Sequence, residues 1–445
     1  MRIHAEQALL PEGWARDVVV SVAGGRIATV QRDVPGGRGC LIPAPVNLHS
    51  HMFQRAMAGL TEARTAGQDS FWTWRTLMYR FLEQLSPEDV QAIAAQVMVE
   101  MAEAGFGAVA EFHYLHHGVD GQIYDDPAEM AARIVQAAKE TGLGLTLLPV
   151  LYEQGGCDGR KLAGGQLRFG NDFKSYYDIL EASSEHVKVL PDGRTGVAPH
   201  SLRAVSRGSL AQVAGLTSGP VHLHIAEQMA EVTEVQAAYG ARPVDWALAN
   251  LPLDGRWCMI HATQMTAGET AALAATGAVA GLCPITEANL GDGIFDGTGW
   301  RAAGGVWGVG SDSNVRISLR EELQLLEYSQ RLRDRARAVL ADARSTGRVL
   351  IEESARGGAQ AAGRDAGRIA PGAWADLTLL DTRSLALEGL QGDAVLDAFV
   401  FAGDDGLVTD LWSAGRHIVQ DGRHIARDAV AARFRKVLQR LRGAL

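Results

Sequence analysis

The residues near the N-terminus that are best suited to chemistry are two histidines separated by one serine. His49 and His51 lie in the stretch 45-PVNLHSHMFQRAMAGL-60, directly after the apolar run 40-CLIPAPVNL-48. Alternate side chains of a strand point to the same face, so we expect the two imidazoles to project side by side. Such a pair suits a shared metal ion, and an ordinary structural pair of histidines fits the same spacing. Residues elsewhere in the chain distinguish these two interpretations.

Polar residues also stand at the ends of other short apolar runs, and six of the 13 histidines are among them. The residues at or beside these ends are His49, His51, Tyr114, His200, His222, His224, Glu227, His261 and Asp312. Three imidazoles and one carboxylate would suit a single metal ion, and the predicted ligands are His49, His51, His224 and Asp312. Nitrogen ligands with one oxygen favour zinc, and iron and manganese are alternatives. Each histidine alone also fits an ordinary core or surface position, so the metal prediction rests on the four residues together.

The apolar runs are the elements that must position these residues, and they alternate with longer helical patterns. We interpret eight runs as buried strands, at 40–49, 107–114, 143–152, 195–201, 220–228, 257–264, 278–286 and 305–313. Continuous apolar strands separated by helices indicate a parallel sheet that is covered on both faces. Eight in succession predict an α/β fold with a (β/α)8 TIM-like barrel, whose catalytic residues gather at the carboxyl ends of the strands.

The two ends of the chain have a different pattern. Residues 17–30 alternate around a Gly-Gly turn, and residues 368–381 and 408–424 have the same character. We therefore predict a small β-sandwich domain built from both chain ends. The predicted boundaries are 1–42 for the first part of this domain, 43–366 for the catalytic barrel, and 367–445 for the second part with a C-terminal helix.

The interval 86–106 is typical of the helices that should cover the barrel. Ser86 is a suitable N-cap, and Pro87 fits the first helical position. Apolar residues then recur with the i, i+3, i+4, i+7 spacing of an amphipathic helix. Gly105 is a suitable stop at the C-terminal end, so the spacing predicts a helix between these residues.

The composition argues against several classes of partner. The chain has 445 residues, a net charge of −10 and no basic stretch interleaved with aromatic residues, so we expect no nucleic-acid partner. The four cysteines are far apart, which argues against a thiolate zinc site and a disulfide framework. No apolar run approaches the ~20 residues needed to cross a bilayer, and the N-terminus lacks the pattern of a secretion signal. We therefore expect a reduced, cytoplasmic protein that has no membrane partner.

The order of the predicted ligands resembles that of the amidohydrolase superfamily. The His-x-His pair after strand one is followed by His224 after strand five, His261 after strand six and Asp312 after strand eight. The segment 371-PGAWADLTLLD-381 is similar to the superfamily's closing segment, where the chain re-enters the small β-domain. The predicted strand four, which ends in TGVAPHS, has no lysine of the kind that is carboxylated to bridge two metals. The resemblance therefore implies a metal-dependent amidohydrolase barrel with one metal ion per chain.

The tetrapeptide 224-HIAE-227 resembles the deaminase branch of this superfamily. In that branch the glutamate carries protons between water, the attacked C=N group and the leaving ammonia. The nitrogen has to gain protons before it leaves, so the chemistry needs such a group. The resemblance assigns this role to Glu227, acceptance of the water's proton to Asp312, and stabilisation of the tetrahedral intermediate to His261. The alternative for Glu227 is an ordinary surface carboxylate.

Three stretches of the sequence limit the range of candidate substrates. The segments 47–60, 71-FWTWRTLMYRFLEQLSPED-89 and 110-AEFHYLHH-117 resemble the N-formimidoyl-L-glutamate deiminase family. The resemblance implies hydrolysis of an acyclic formimidoyl amine with two carboxylates, in histidine degradation, by a homodimer. Arginine is the natural clamp for carboxylates, and we expect Arg75 and Arg203 to serve as clamps. The expected hydrogen-bonding helpers are Gln54, Tyr114 and His200, and the weaker arginine candidates are Arg55 and Arg316.

Two other functions stay open on the sequence alone. Deaminases of cyclic substrates such as purines use the same metal and glutamate, although the arginine of FWTWR argues against a neutral base. A non-catalytic scaffold on the same fold is the second, although the complete ligand set argues against it. Trp72 and Trp74 fit a cover over the site, a core position or a dimer contact. The Gly-rich stretch 287-EANLGDGIFDG-297 lacks a lysine and phosphate-loop spacing, so we interpret it as a turn at the barrel rim.

Overall fold

A computed structural model describes residues 1–60, 62 and 78–443, which contain a parallel barrel beside a mixed sheet. In chain order the strands are β1 (Arg2–Leu10), β2 (Gly13–Ala23), β3 (Arg26–Gln31), β4 (Cys40–Pro43), β5 (Val46–Ser50), β6 (Ala108–His113), β7 (Gly144–Leu151), β8 (Arg194–Thr195), β9 (Ala198–Pro199), β10 (Val221–Ile225), β11 (Trp257–His261), β12 (Val279–Leu282), β13 (Val306–Val309), β14 (Leu377–Leu380), β15 (Val408–Ser413), β16 (Arg416–Gln420) and β17 (Arg423–His424). The α-helices beyond residue 86 are α1 (Pro87–Glu103), α2 (Glu129–Thr141), α3 (Phe173–Val187), α4 (Arg207–Val213), α5 (Met229–Tyr239), α6 (Pro243–Asn250), α7 (Ala267–Ala275), α8 (Pro284–Leu290), α9 (Gly297–Ala302), α10 (Leu319–Asp334), α11 (Thr346–Ala361), α12 (Asp393–Phe401) and α13 (Arg427–Gly443).

The barrel consists of β5 to β13. One parallel sheet contains β5, β6, β7 and β8, with β9 also paired to β7, and a second contains β10 to β13. Parallel bridges from Val197 to Val221 and from Ser50 to Asp312 join the two sheets and close the ring. With β8 and β9 counted as one interrupted strand, eight strands alternate with helices, which confirms the predicted (β/α)8 barrel.

The remaining strands form one mixed sheet from both chain ends, in the order β17-β16-β15-β14-β4-β1-β2-β3. The sheet has its own apolar cluster, which includes Ile3, Val18, Val20, Ile27, Leu377 and Trp412. This arrangement confirms the small sheet domain that the flanking patterns predicted. We propose that the two domains divide near residues 42 and 367, where the chain passes between the sheet and the barrel.

Several predicted strands extend beyond the observed ones, and three of them are divided or run into a helix. The predicted strand at 40–49 is two strands, because β4 pairs with β1 and β14 of the small sheet whereas β5 pairs with β6 of the barrel. Pro45 lies between them, and its missing N–H prevents a continuous ladder. The predicted strand at 195–201 is split into two-residue pieces. The predicted strand at 278–286 ends at Leu282, because Pro284 begins a helix, as proline favours.

Helix α1 begins and ends where its sequence predicts. Ser86 and Asp89 form a capping box, in which each side chain accepts a hydrogen bond from the other residue's backbone N–H. Gly105, with a φ of 99°, follows the helix C-cap at Ala104. The apolar face of α1 is buried, and the helix packs against α2 and α13.

The C-terminal helix α13 presents most of its length to solvent, with only Val430 and Leu441 fully buried. Several of its arginines pair with carboxylates of neighbouring helices, including Arg433 with Glu140. Of the helices in the described residues, none combines the length and apolar character needed to cross a membrane.

Candidate metal site and catalytic pocket

The four predicted metal ligands converge at the carboxyl ends of three barrel strands. His49 lies near the end of β5, His51 follows that strand, and His224 lies in β10. Asp312 is three residues beyond β13. The backbone ties the first and last strands together, since the N–H of His51 donates to the carbonyl of Asp312 and the N–H of Asp312 donates to the carbonyl of His49. Ring closure thus brings residues that are more than 250 positions apart in sequence into contact.

The donor atoms of these four residues are spaced for one metal ion. His224 Nε2 lies 3.0 Å from His49 Nε2, and Asp312 Oδ1 lies 3.5 Å from His49 Nε2 and 3.2 Å from His51 Nε2. All four residues are buried, and their donor atoms lie within 4.8 Å of one another. Ligands at about 2.1 Å from a tetrahedral ion are about 3.4 Å apart, so this donor set fits one divalent ion.

Hydrogen bonds to the far side of two rings fix which nitrogen faces the centre. His51 Nδ1 donates to the carbonyl of Phe112 at 3.0 Å, and His224 Nδ1 donates to the carbonyl of His200 at 3.0 Å. A neutral imidazole with a proton on Nδ1 carries its lone pair on Nε2. Both Nε2 atoms are therefore directed to the centre as acceptors, which is the arrangement that outer hydrogen bonds give to metal-binding histidines.

Burial holds the ligands in the protonation states that bind a cation. It lowers the pKa of His49 to about 3, and it lowers that of His224 well below the usual range, so both rings are neutral. Burial alone would raise the pKa of Asp312, but its close contacts with His49 and His51 hold the pKa well below the usual range. Neutral imidazoles and an ionised carboxylate are the forms in which these groups coordinate metals.

The backbone around the site is strained. Several residues other than glycine adopt positive φ angles at the ends of β10, β11 and β13, namely Ala226, His261, Ala262, Asp312 and Asn314. Such conformations cost about 1–3 kcal/mol each and persist only where surrounding contacts enforce them. Asn314 supplies such contacts, because its side-chain amide donates to Ser50 Oγ and to the carbonyls of His51 and Asp312, each at 3.1 Å.

Glu227 and His261 lie beside the four ligands. His261 Nε2 is 3.9 Å from Glu227 Oε1 and 3.9 Å from Asp312 Oδ2. On the opposite side of the ring, Nδ1 is 3.2 Å from Glu287 Oε1, which also accepts the backbone N–H of Cys283. Burial raises the pKa of Glu227, and a raised pKa suits a carboxyl group that transfers protons near neutrality.

A pocket opens above this cluster, with a free space of about 650 Å³ that includes its solvent-facing mouth. Its lining contains nearly all of the predicted site residues within the described chain, namely His51, Gln54, Tyr114, His200, Arg203, His224, Glu227, His261 and Asp312. Gln54 Nε2 donates to the hydroxyl of Tyr114 at 2.5 Å. Arg75, Trp72 and Trp74 lie outside the described residues.

Among the described residues, Arg203 is the arginine that lines the pocket. Its Nε is buried without a hydrogen-bond partner in this part of the chain. Burial lowers the pKa of Arg203, but the nearby carboxylates of Glu231 and Glu227 outweigh burial and raise it. The weaker candidates are engaged elsewhere, because Arg55 pairs with Glu100 at 2.8 Å and Arg316 pairs with Glu321 at 2.7 Å.

The sequence interpretation missed Glu287. The stretch 287–297 was expected to be a turn at the barrel rim, but its first residues belong to α8, and Glu287 is buried against His261. Pro284 is the signal that could have revealed this, because a proline after a strand often begins a helix. A glutamate in the first turn of such a helix lies at the carboxyl ends of the barrel strands, where catalytic groups gather.

Two family models match the chain. The model described as the amidohydrolase family matches residues 40–418. The model described as the N-terminal domain of the formimidoylglutamate deiminase HutF matches residues 1–37. Together they account for both the barrel and the first strands of the small sheet.

Similar proteins and structures cover the whole chain. A curated formimidoylglutamate deiminase from Pseudomonas aeruginosa is 48% identical, with 99% of each chain covered. A 5-methylthioadenosine/S-adenosylhomocysteine deaminase from Halobacterium salinarum is 27% identical, covering 93% of this chain and 88% of its own. The crystal structure of an amidohydrolase from Brucella melitensis is 47% identical, covers 99% of each chain and superposes with a TM-score of 0.96. By these matches and by its fold, the chain belongs to the amidohydrolase family.

Proposed function

We propose that this chain is a zinc-dependent deiminase that hydrolyses N-formimidoyl-L-glutamate to N-formyl-L-glutamate and ammonia, as a step of histidine degradation. The observation that carries the proposal is the pocket, in which a metal-ligand cluster, Glu227 and the guanidinium of Arg203 face the same space. The 48% identity to a formimidoylglutamate deiminase over 99% of the chain supports the same substrate. We further propose that the enzyme is a homodimer, as the sequence resemblance implies, and that it is cytoplasmic, as the cysteine usage and the sequence patterns suggest.

Zinc is the proposed ion, at one per chain, held by His49, His51, His224 and Asp312. Three imidazoles with one carboxylate are ligands that zinc accepts readily. A bound zinc ion supplies a water nucleophile whose pKa is brought towards neutrality.

The protein's own residues then move the protons. Asp312 takes the first proton of the attacking water, and Glu227 delivers its own proton to the nitrogen. Glu227 then carries the remaining hydroxyl proton to the same nitrogen, and the proton held by Asp312 restores Glu227 at the end of the cycle. His261 Nε2 lies beside both carboxylates and stabilises the negative charge that develops as the new C–O bond forms. The C–NH2 bond of the formimidoyl group breaks, and ammonia leaves because its nitrogen has been protonated.

The substrate's carboxylates require cationic and hydrogen-bonding partners. Arg203 is the proposed clamp among the described residues, because a guanidinium binds a carboxylate through two parallel hydrogen bonds. Gln54, Tyr114 and His200 line the same pocket and are the proposed hydrogen-bonding helpers. Arg75 remains the second proposed clamp from the sequence.

The proposal is tested by identifying the nitrogen-containing product of purified, zinc-loaded protein with N-formimidoyl-L-glutamate. We expect ammonia and N-formyl-L-glutamate. Formamide with glutamate would show that the other C–N bond breaks, which contradicts the proposed leaving group. No reaction, together with an ultraviolet absorbance change on a purine, would assign the chain to the deaminases of cyclic substrates. Protein prepared without chelator that contains no metal would favour a non-catalytic scaffold.

Replacing Arg203 with methionine is expected to lower kcat/KM for N-formimidoyl-L-glutamate by about 10- to 100-fold, mainly through KM. A hydrogen bond to a charged group contributes about 1.5–3 kcal/mol, and each 1.4 kcal/mol changes a binding constant tenfold. Steady-state kinetics on a dicarboxylate and a monocarboxylate formimidoyl amine would measure the effect, which should shrink for the monocarboxylate. Arg207→Met is the control, because Arg207 is exposed and contacts the carbonyl of Ala238. Equal losses in the two variants would contradict the clamp.

Replacing Glu287 with alanine is expected to lower kcat by about 10- to 100-fold, because His261 would lose the partner that fixes its ring. Glu287→Gln should retain most activity, since a single oxygen, Oε1, accepts both the Nδ1–H of His261 and the N–H of Cys283. Comparison of kcat at equal metal content measures the difference. Equal activity of the two variants would show that the contact does not orient His261.

A further inference from the structure

Glu231 is a buried carboxylate that binds the backbone of the turn at Ala226 and Glu227. It lies in the first turn of α5, and its side chain is only 5% exposed. Its Oε1 accepts the backbone N–H of Ala226 at 3.2 Å, and its Oε2 accepts the backbone N–H of Glu227 at 3.0 Å. Both oxygens are therefore used on two consecutive peptide groups, one of which belongs to the proposed proton carrier.

The backbone that is hydrogen-bonded to Glu231 is strained. Ala226 has a φ of 50°, a left-handed conformation that costs a residue other than glycine about 1–2 kcal/mol. This conformation turns the chain out of β10 immediately before Glu227, whose carboxylate lies 3.9 Å from His261 Nε2. The two hydrogen bonds to Glu231 offset the strain, because a buried N–H without an acceptor would cost further free energy.

Glu231 and Arg203 also influence each other electrostatically. Burial raises the pKa of Glu231, and Arg203 is the strongest of the influences that lower it. In turn, Glu231 is the strongest of the nearby charges that raise the pKa of Arg203. Each side chain therefore favours the charged form of the other.

We propose that Glu231 is a positioning residue that fixes the turn carrying Glu227. It does not belong to the pocket lining among the described residues, and it acts through the backbone of Ala226 and Glu227. The inference rests on the proposed deiminase function for its kinetic test, and on the backbone contacts alone for its structural test.

Glu231→Gln is the test variant, because an amide keeps the shape of the side chain but has only one acceptor oxygen. One of the two backbone N–H groups would then face an NH2 group. We expect kcat to fall about 10- to 100-fold, the range for residues that orient catalytic groups. KM should stay about the same, because Glu231 is not one of the proposed substrate-binding residues. Glu231→Asp keeps both acceptors on a shorter side chain, so its kcat should lie between those of the parent and the Gln variant.

Glu234→Gln is the matched control on the same helix. Its carboxylate accepts the N–H of Cys157 at 3.1 Å, whereas the N–H groups of the turn at Ala226 are accepted by Glu231. We expect its kcat to stay within twofold of the parent. A Glu231→Gln kcat within twofold of the parent, a KM that rises in step with the loss of kcat, or an equal loss in Glu234→Gln would each overturn the proposal.

Hydrogen exchange measured by mass spectrometry gives a readout that does not depend on activity. Peptides covering residues 222–229 should exchange faster in Glu231→Gln than in the parent, whereas Glu234→Gln should match the parent. Unchanged exchange in Glu231→Gln would overturn the proposal even if kcat falls. Absence of deiminase activity in the parent would instead contradict the proposed function, and the exchange comparison would still decide whether Glu231 holds the turn.

Discussion

Replacing Glu227 with glutamine is expected to lower kcat by about 10²–10⁴-fold, the usual contribution of a group that transfers protons in the rate-limiting step. Glutamine has nearly the same size but can neither accept the proton of water nor deliver one to the leaving nitrogen. Glu227 is not one of the four predicted metal ligands, so the metal content should be unchanged. KM should also change little, since Arg203 is the proposed clamp for the substrate's carboxylates.

The measurement is steady-state kinetics with elemental analysis of the same samples. The Gln variant should bind N-formimidoyl-L-glutamate without turnover, which calorimetry can detect as binding heat without reaction heat. Glu234→Gln serves as the control here too, because its carboxylate lies on the neighbouring helix α5 and outside the pocket lining. Full activity of Glu227→Gln would refute the proton-transfer role, and loss of metal would show that Glu227 supports the ligand cluster instead.

The sequence predicts the barrel because its strands are continuous apolar runs, each with polar residues at its end. A strand of this kind is buried on both faces. Strands buried on both faces occur mainly in parallel sheets that are covered by helices. The predicted ligands could be grouped because all parallel strands end on the same side of the barrel. His49 and His224 illustrate this, since both belong to strands and their rings meet at 3.0 Å.

Local sequence patterns did not predict strand boundaries correctly where tertiary contacts determine the pairing of strands. The apolar run at 40–49 looks continuous, yet its two halves belong to different sheets, because the partner strands β14 and β6 lie in distant parts of the chain. Strand four is split because only short stretches around Gly196 pair with β7. Hydrophobic periodicity contains no information about such partners.

The roles of Glu231 and Glu287 could not be predicted from the sequence for a related reason. A glutamate in the first turn of a helix is common, because it interacts favourably with the helix dipole. Their roles depend on the hydrogen bonds that their carboxylates accept. Glu231 accepts the backbone N–H groups of a strained turn, and Glu287 accepts the Nδ1–H of His261. The left-handed conformations of Ala226 and His261 are likewise imposed by the assembled site. Glycine is the residue that usually signals such a conformation in a sequence, and neither position is a glycine.

Buried charges also join the barrel to the small sheet, at a position remote from the pocket. Arg364 follows α11, and its guanidinium donates to Asp376 Oδ2 at 2.6 Å and to Asp192 Oδ2 at 2.8 Å. All three side chains are at most 3% exposed. Arg416, in the small sheet, also pairs with Asp192 at 2.8 Å. The cluster therefore ties the segment before strand four of the barrel to β14 and β16.

Replacing Arg364 with methionine is expected to lower the free energy of unfolding by about 3–5 kcal/mol, the usual result of removing one partner from a buried ion pair. Asp376 and Asp192 would be left buried with too little positive charge. Arg364→Lys should lose less, because it keeps the charge but not the forked geometry that binds both carboxylates. Urea unfolding of metal-loaded protein, followed by circular dichroism, would measure these differences.

The loss caused by Arg364→Met should become smaller as the pH falls. Burial alone would raise the pKa of Asp192, but Arg416 and Arg364 outweigh it and hold the pKa below its usual range in the parent. The stabilisation from this ionised group is present above the unfolded pKa and is lost as the pH falls through the lower folded pKa. Without Arg364 the pKa of Asp192 rises, so this carboxylate is protonated at a higher pH and its buried charge is relieved. Arg368→Met is the control, because Arg368 pairs with Asp365 at the surface and such pairs contribute about 0–1 kcal/mol. If Arg364→Met were no less stable than Arg368→Met at neutral pH, the cluster would not hold the two domains together.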